Sequence, residues 1–166
     1  VVSDTHSSEG HRLRGRTLKA VRSAELVLHV GDFMTEQVLD AFEAEAETLR
    51  AVYGNNDDSG IRDRLPKVRT VEYEGIRFAM THTVRGGNTA LGLFGKQREA
   101  DVVIFGHSHR PTADFGGELP LLNPGSHAQP RGNRPGHMEL EPVAGGLQGR
   151  LVTPDGTVFE TFELQA

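Results

Sequence analysis

The sequence predicts an α/β fold in four layers, two facing mixed sheets flanked by helices. Three observations predict it. Apolar strands alternate with amphipathic helices in the first part of the chain. From residue 68 onward the pattern changes to short strands joined by turns. Five separate times, an apolar strand runs straight into a loop of Asp, Asn or His.

The elements follow in order. Val1–Ser3 reads as the end of a buried strand whose start lies upstream, followed by the polar loop Asp4–Gly10. His11–Arg22 places Leu13, Leu18 and Val21 at helical spacing, with arginines and Lys19 on the wet side. Glu25–Val30 is an apolar strand ended by Gly31-Asp32. Thr35–Ala46 is an amphipathic helix with Thr35 as expected N-cap and Val38, Leu39 and Phe42 as its buried stripe. Leu49–Tyr53 is a third strand, and Gly54-Asn55-Asn56-Asp57-Asp58 is a loop by composition. Val68–Glu72 and Ile76–Thr81 flank Tyr73-Glu74-Gly75 as a hairpin. A helix is expected over Asn88–Ala100, then the strand Asp101–Phe105 leading into Gly106-His107-Ser108-His109. The remainder reads as strands at Leu119–Leu122, Met138–Pro142, Leu147–Thr153 and Val158–Leu164, with Pro154-Asp155-Gly156 turning the last pair.

Composition narrows the function. The chain has 166 residues, enough for one domain spanning 1–166 with a real core. At 36% hydrophobic and 25% charged residues it is of the globular class, and no run approaches the roughly 20 apolar residues of a membrane span. With no secretory leader in view, the cytoplasm is the expected compartment. There is no cysteine, so a metal here must take His, Asp, Asn or water. A net charge of -5 without a basic run argues against nucleic acid as partner.

The polar residues at the strand ends carry the chemistry. Asp4 and His6 follow the first strand, Asp32 the second, Asn55 the third, His82 the strand ending at Thr81, and His107 with His109 the strand ending at Phe105. In an open α/β sheet the carboxyl ends of the strands share one edge, where ligands bind. Seven N and O donors would converge there, which suffices for two metals if one carboxylate bridges; Asp32, alone in its loop, is the natural bridge. Such donors suit Mn, Fe, Co, Ni or Zn. Singly, Asp4 or Asn55 reads as a turn residue and His82 as a hydrogen-bonded histidine. Jointly, and at one topological location, the coincidence is decisive.

At these residues the sequence resembles a known family. Asp4-Thr5-His6, Gly31-Asp32, Gly54-Asn55-Asn56-Asp57, His82 and Gly106-His107-Ser108-His109 match in order the signature of the calcineurin-like metallophosphoesterases. Asn123-Pro124-Gly125-Ser126 resembles a turn of the small single-domain branch, the YfcE/MJ0936 type. The resemblance implies a phosphodiesterase acting on a small phosphate ester, with two divalent metal ions: manganese first, then nickel, iron, cobalt, zinc or magnesium. One metal would lie on Asp4, His6, Asp32 and His109, the other on Asp32, Asn55, His82 and His107. A metal-bridging hydroxide would then attack phosphorus in line. Two dications and two aspartates leave a charge of about +2 in the cleft, which suits an anionic substrate. The resemblance further implies a homo-oligomer, dimer or tetramer.

Departures from the family pattern concern the substrate side. Many relatives carry, where Asn56 stands, a histidine that protonates the leaving oxygen; an amide has no such proton. Asn56, Asp57 and His82 are the catalytic candidates, with Asp57 placed to orient a ring at position 56. Thr83-Val84 stand where many relatives have Gly-His. The retromer subunit of this fold also lacks the histidine and serves as a protein scaffold, so a metal-binding interaction scaffold is the competing reading. His29, inside a strand, is expected in the core or behind the ligands, and His127 is open between cleft and framework.

Overall fold

The structure is a computed structural model describing residues 1–166. Its elements in chain order are α1 (Gly15–Ser23), β1 (Val27–His29), α2 (Glu36–Glu45), β2 (Leu49–Ala51), α3 (Ser59–Arg64), β3 (Val68–Tyr73), β4 (Ile76–Thr81), α4 (Gly87–Lys96), β5 (Val102–Ile104), β6 (Thr112–Asp114), β7 (Leu121–Asn123), β8 (His137–Val143), β9 (Gly146–Val152) and β10 (Val158–Gln165).

Two sheets form. In the first, β1 pairs with β2 in parallel, and β8, β9 and β10 form an antiparallel meander. The chain start joins these two parts. Val2 bridges His29 in parallel, and the Met138 N–H donates to the Val1 carbonyl at 2.9 Å. The second sheet has the order β3-β4-β5-β7-β6, parallel through β4, β5 and β7 with an antiparallel strand on each edge.

Strand periodicity decides which face each residue covers. Ile76, Phe78 and Met80 of β4, and Val102 and Ile104 of β5, point into a core shared with Leu28, Leu122, Met138 and Leu151, which lies between the sheets. The intervening Ala79 and Val103 face outward and pack on Leu91 and Phe94 of α4. Val27 and Ala51 face the other way and meet Val21, Val38, Leu39, Phe42 and Ile61 from α1, α2 and α3. Two sheets with helices on both outer faces result, as the sequence predicts. Each fully buried aliphatic or aromatic side chain contributes about 1.5–3 kcal/mol of transfer free energy, so the three clusters dominate stability. No helix is long and apolar enough to cross a membrane.

Local corrections are few. The first helix starts at Gly15 rather than His11, because Arg12 has a left-handed φ of 56° and the N-cap Arg14 is extended. Thr35 occupies the N-cap position of α2, yet its side chain makes no cap bond and its hydroxyl is buried without a partner. Asp58 instead caps a helix the sequence reading did not expect, accepting the Ile61 N–H at 2.9 Å at the head of α3. β6 is a further unexpected element, three residues on the sheet edge. The first strand is reduced to the single bridge at Val2.

Candidate metal centre

The donors sit on loops at the carboxyl ends of the parallel strands. Asp4 and His6 follow the Val2 bridge, Asp32 follows β1, Asn55 follows β2, His82 follows β4, and His107 and His109 follow β5. Five of these residues hold a left-handed backbone: Asp4 (φ 54°), His6 (45°), Asp32 (62°), His107 (71°) and His109 (57°). For a non-glycine residue this costs on the order of 1–3 kcal/mol and persists only where surrounding bonds impose it. They are imposed here: Asp4 N–H donates to the Gly31 carbonyl and His6 N–H to the Asp32 carbonyl, each at 3.0 Å.

Backbone and side-chain donors hold one oxygen of Asp4 and both oxygens of Asp32, Oδ2 by the Asn56 side-chain amide. Asp4 Oδ2 accepts from the Ser3 hydroxyl at 2.7 Å and the His107 N–H at 3.0 Å. Asp32 Oδ1 accepts the Asn56 N–H at 2.9 Å. The opposite oxygens face imidazoles. Asp4 Oδ1 lies 3.3 Å from His109 Nε2, 3.6 Å from His6 Nε2 and 3.8 Å from His82 Nε2. Asp32 Oδ2 lies 3.0 Å from His6 Nε2 and 3.3 Å from His82 Nε2. His6 and His109 oppose their Nε2 atoms at 3.1 Å. On the outer side, His107 Nδ1 lies 3.1 Å from Asn55 Oδ1, and the His82 and His107 rings are 5.3 Å apart.

The tautomers follow from the other ring nitrogens. His82 Nδ1–H donates to the Val30 carbonyl at 2.7 Å, and His109 Nδ1–H donates to the Gln129 carbonyl. Both Nε2 atoms then turn a lone pair inward, the arrangement that fixes a metal-ligating histidine. Charge has the same tendency. Burial opposes a proton on His6, but the Asp32 and Asp4 carboxylates outweigh it and raise its pKa to about 9. Burial likewise opposes the charge on Asp4 and Asp32, and the facing imidazoles hold both well below the usual carboxylate range.

These residues fit divalent cations. Asp4 Oδ1 and His82 Nε2 are buried without any hydrogen-bond partner, in the midst of three other donors, His6 Nε2, His109 Nε2 and Asp32 Oδ2. Uncompensated polar atoms of this kind cost about 1–3 kcal/mol each unless something coordinates them. Two sets, Asp4–His6–His109 and Asp4–Asp32–His82, each bring one donor atom per residue within 4.8 Å of the others. Asp4 is common to both sets, yet Asp32 Oδ2 is nearer to His82 than Asp4 Oδ1 is, 3.3 Å against 3.8 Å. The loops close tightly around the carboxylates. A Cβ at Gly54 would lie 2.6 Å from the Asp32 nitrogen, and one at Gly106 would lie 2.8 Å from Asp4 Oδ2.

Five of the seven predicted donors fall into the two close sets, while Asn55 and His107 pair with each other on the outer side, and the flanking candidates differ from expectation. Asp57 was expected to orient a ring at position 56. Its buried carboxylate instead accepts the backbone N–H groups of Asp32 (3.0 Å), Met34 (2.8 Å) and Gly54 (2.6 Å). It ties the loops after β1 and β2 together. Asn56 Nδ2 donates to Asp32 Oδ2 at 2.8 Å. His127, open in the sequence reading, is framework: it is buried against Phe42, and its Nε2–H donates to the His11 carbonyl at 3.2 Å. His29 lies behind the ligands as expected, accepting the Gly31 N–H, donating to Thr5 Oγ1 and stacking on Phe33. Arg134 rests its guanidinium over the Phe159 ring.

Sequence reasoning missed the supports. Ser3 was not singled out, and nothing in its context marks it. The Asn-Pro-Gly-Ser turn was noted without a role. Asn123 Nδ2 donates to the Gly106 carbonyl at 3.1 Å and the Ser126 hydroxyl to the Asp4 carbonyl at 2.7 Å, so the turn buttresses two ligand loops.

A helix-flanked pair of facing sheets thus carries clustered imidazoles and carboxylates at its strand ends, an arrangement able to hold metal ions for hydrolysis. The chain belongs to the calcineurin-like phosphoesterase superfamily: the family model described as Calcineurin-like phosphoesterase superfamily domain matches residues 1–143. It is therefore a metal-dependent phosphoester hydrolase. A probable metallophosphoesterase of Methanothermobacter thermautotrophicus is 35% identical over 170 residues, covering 99% of this chain and 97% of that protein. Phosphodiesterase MJ0936 of Methanocaldococcus jannaschii is 27% identical over 136 residues, covering 75% and 81%. Among solved structures, wild-type Vps29 of Entamoeba histolytica complexed with zinc superposes with a TM-score of 0.79 over 98% of this chain and 96% of that one, at 23% identity. That likeness concerns the fold.

Proposed function

We propose that residues 1–166 act as one catalytic domain that hydrolyses a small phosphodiester with two divalent cations. Asp4, His6, Asp32 and His109 would hold one, and Asp32, Asn55, His82 and His107 the other. One observation carries the reading: Asp32 Oδ2 lies between His6 Nε2 and His82 Nε2, at 3.0 and 3.3 Å, so a single carboxylate oxygen addresses both donor groups. When bound, such a pair supplies Lewis-acid charge at the phosphoryl oxygens and lowers the pKa of the attacking water. The chain's own residues orient it. Val30 and Gln129 carbonyls fix the His82 and His109 tautomers, and Ser3 and the His107 N–H hold the Asp4 carboxylate. The diester preference draws support from the relative named a phosphodiesterase. A net charge of -5 favours a small substrate over a polyanion. Manganese is the first cation to try, and a dimer or tetramer in the cytoplasm is the expected setting.

The test is turnover of bis(p-nitrophenyl) phosphate and p-nitrophenyl phosphate by metal-stripped protein given Mn, Ni, Co, Zn or Mg in turn. Turnover of the diester above the monoester, abolished by chelator and by Asp32→Ala, is expected. Tight cation binding without turnover of either ester would overturn the reading and favour the second one, a metal-binding interaction scaffold. That alternative is favoured by one observation: position 56 offers no imidazole, and its amide is engaged with Asp32.

A further inference from the structure

We propose that the cleft between the head of α1 and the β9–β10 turn is a second anion site, which takes a phosphate group on Arg14 and Arg134. The cleft has a volume of about 370 Å³, and its charged residues are Arg14, Arg134 and Asp155. Five other arginines of this acidic chain are paired with carboxylates: Arg16 with Glu139, Arg22 with Glu45, Arg64 with Asp40, Arg77 with Glu72 and Arg150 with Glu141. Arg14 and Arg134 have no such partner. Arg14 is the N-cap residue of α1 and makes no side-chain cap bond. Arg134 lies with its guanidinium 4.8 Å from the centroid of the Phe159 ring. Stacking engages the face of the guanidinium and leaves its N–H edge for an anion. Asp155, the one acid in the cleft, is turned to its own hairpin, where it accepts the Thr157 N–H at 3.1 Å and the Thr153 hydroxyl. Two cations against one anion leave the cleft positive. A phosphate dianion relieves the repulsion between the two guanidinium groups and accepts from both planar forks.

The walls of the cleft are fixed by the fold. Arg16 N–H donates to the Pro154 carbonyl at 2.8 Å, which pins the head of α1 to the turn. The loop that carries Arg134 is closed at its base by the Gly136 N–H on the Ser126 carbonyl at 3.1 Å, and inside by the Asn133 N–H on the Pro130 carbonyl at 2.9 Å. The same loop reaches the candidate metal centre through Gln129, whose carbonyl accepts His109 Nδ1–H. Arg134 follows Gln129 by five residues, so their α-carbons are no more than about 18 Å apart. Arg14 follows the donor His6 by eight residues. None of the seven donors lines the cleft, so it is separate from the metal centre and shares two loops with it. Its phosphate is a second phosphate group on the ester substrate or free phosphate, and the binding chemistry is the same for both. The first source rests on the phosphodiesterase reading above; the site itself does not.

The experiment titrates inorganic phosphate into metal-stripped protein at low ionic strength, by calorimetry, for the parent chain, Arg14→Gln and Arg134→Gln. Stripping removes the cations that would otherwise bind phosphate at the metal centre. Both arginines are exposed, so the variants keep the fold, which an unchanged melting temperature verifies. The parent should bind one phosphate, and each variant should bind it about 10–100-fold more weakly, the loss that follows removal of charged hydrogen bonds. No binding by the parent at millimolar phosphate, or equal affinity in the parent and both variants, would overturn the site. A second arm measures KM of Mn²⁺-loaded protein for the p-nitrophenyl ester of thymidine 5′-phosphate, with and without a 3′-phosphate. A KM lowered by the 3′-phosphate in the parent, and not in the variants, assigns the site to the substrate. Equal KM values for the two esters, with phosphate binding kept in the first arm, assign it to free phosphate. A parent that cleaves neither ester sinks the phosphodiesterase reading, while the titration still decides the site.

Discussion

His107 and Asn55 are 52 residues apart in sequence, and the ring Nδ1 of the one stands 3.1 Å from the side-chain oxygen of the other. Both are exposed, unlike Asp4 and His109, which are fully buried. The centre is thus asymmetric, with a closed side around Asp4 and an open side around Asn55. A cation held on the open side would meet fewer enclosing groups and would exchange with solvent more readily.

This asymmetry predicts the metal stoichiometry. Asn55→Ala and His107→Ala should each lower bound metal from two equivalents toward one, and the remaining equivalent should be the tighter. Asp32→Ala should remove both and abolish turnover. Elemental analysis after dialysis measures it; a full complement in Asp32→Ala would refute the shared carboxylate.

Asp57 accepts three backbone N–H groups, so its removal should be read in stability before activity. Asp57→Ala leaves those donors without a partner, which costs about 2–4 kcal/mol. For a chain of this size the melting temperature should fall by roughly 4–16 °C. A scan of the metal-free protein checks it. An unchanged melting temperature would show that water replaces the carboxylate freely.

Acid sensitivity should trace in part to His127. Burial, the largest influence, drives its pKa down to about 4, against an ordinary 6.5, so the folded chain holds the ring neutral. The unfolded chain takes up the proton first. Stability from this residue is therefore complete above pH 6.5 and declines as pH falls toward 4, by about 3 kcal/mol in all. Melting of metal-free protein at pH 7 and pH 4 should show His127→Asn losing less stability on acidification than the parent. Equal losses would assign the acid sensitivity elsewhere.

Asn56→His restores a ring where the family resemblance expects one. Because Asp57 is turned to backbone N–H groups, the new ring lacks a carboxylate to orient it. A well-placed general acid contributes about 10²–10⁴-fold, and this variant should gain none of it on esters of high leaving-group pKa. Rates on paired aryl and alkyl diesters decide the point. A gain confined to the alkyl ester would mean that Asp57 swings back to the ring.

Much of this was legible in the sequence. Phe78, Ala79 and Met80 alternate between inner core and outer layer as a period of two requires, and the donors lie where apolar strands stop. The failures share a cause, contacts distant in sequence. Asp57 reads in sequence as the partner of a ring at position 56, because the N–H groups it accepts from Asp32 and Met34 belong to a loop 25 and 23 residues earlier. His127 stays open between cleft and framework in the sequence, because the carbonyl that claims it is at His11, 116 residues away. β6 reads Thr-Ala-Asp, too short and too polar for any periodicity to mark it.

The supports of Asp4 bear on when the protein can acquire its metal during synthesis. Its carboxylate is held by the His107 N–H, 103 residues later, and its carbonyl by Ser126, 122 residues later. A chain made only as far as α4 has Asp4, His6 and Asp32, with Ser3 and the Gly31 carbonyl to hold the first of them but neither of its two later supports. The donor set is therefore complete in sequence only once His109 has been made, and its support only with Ser126.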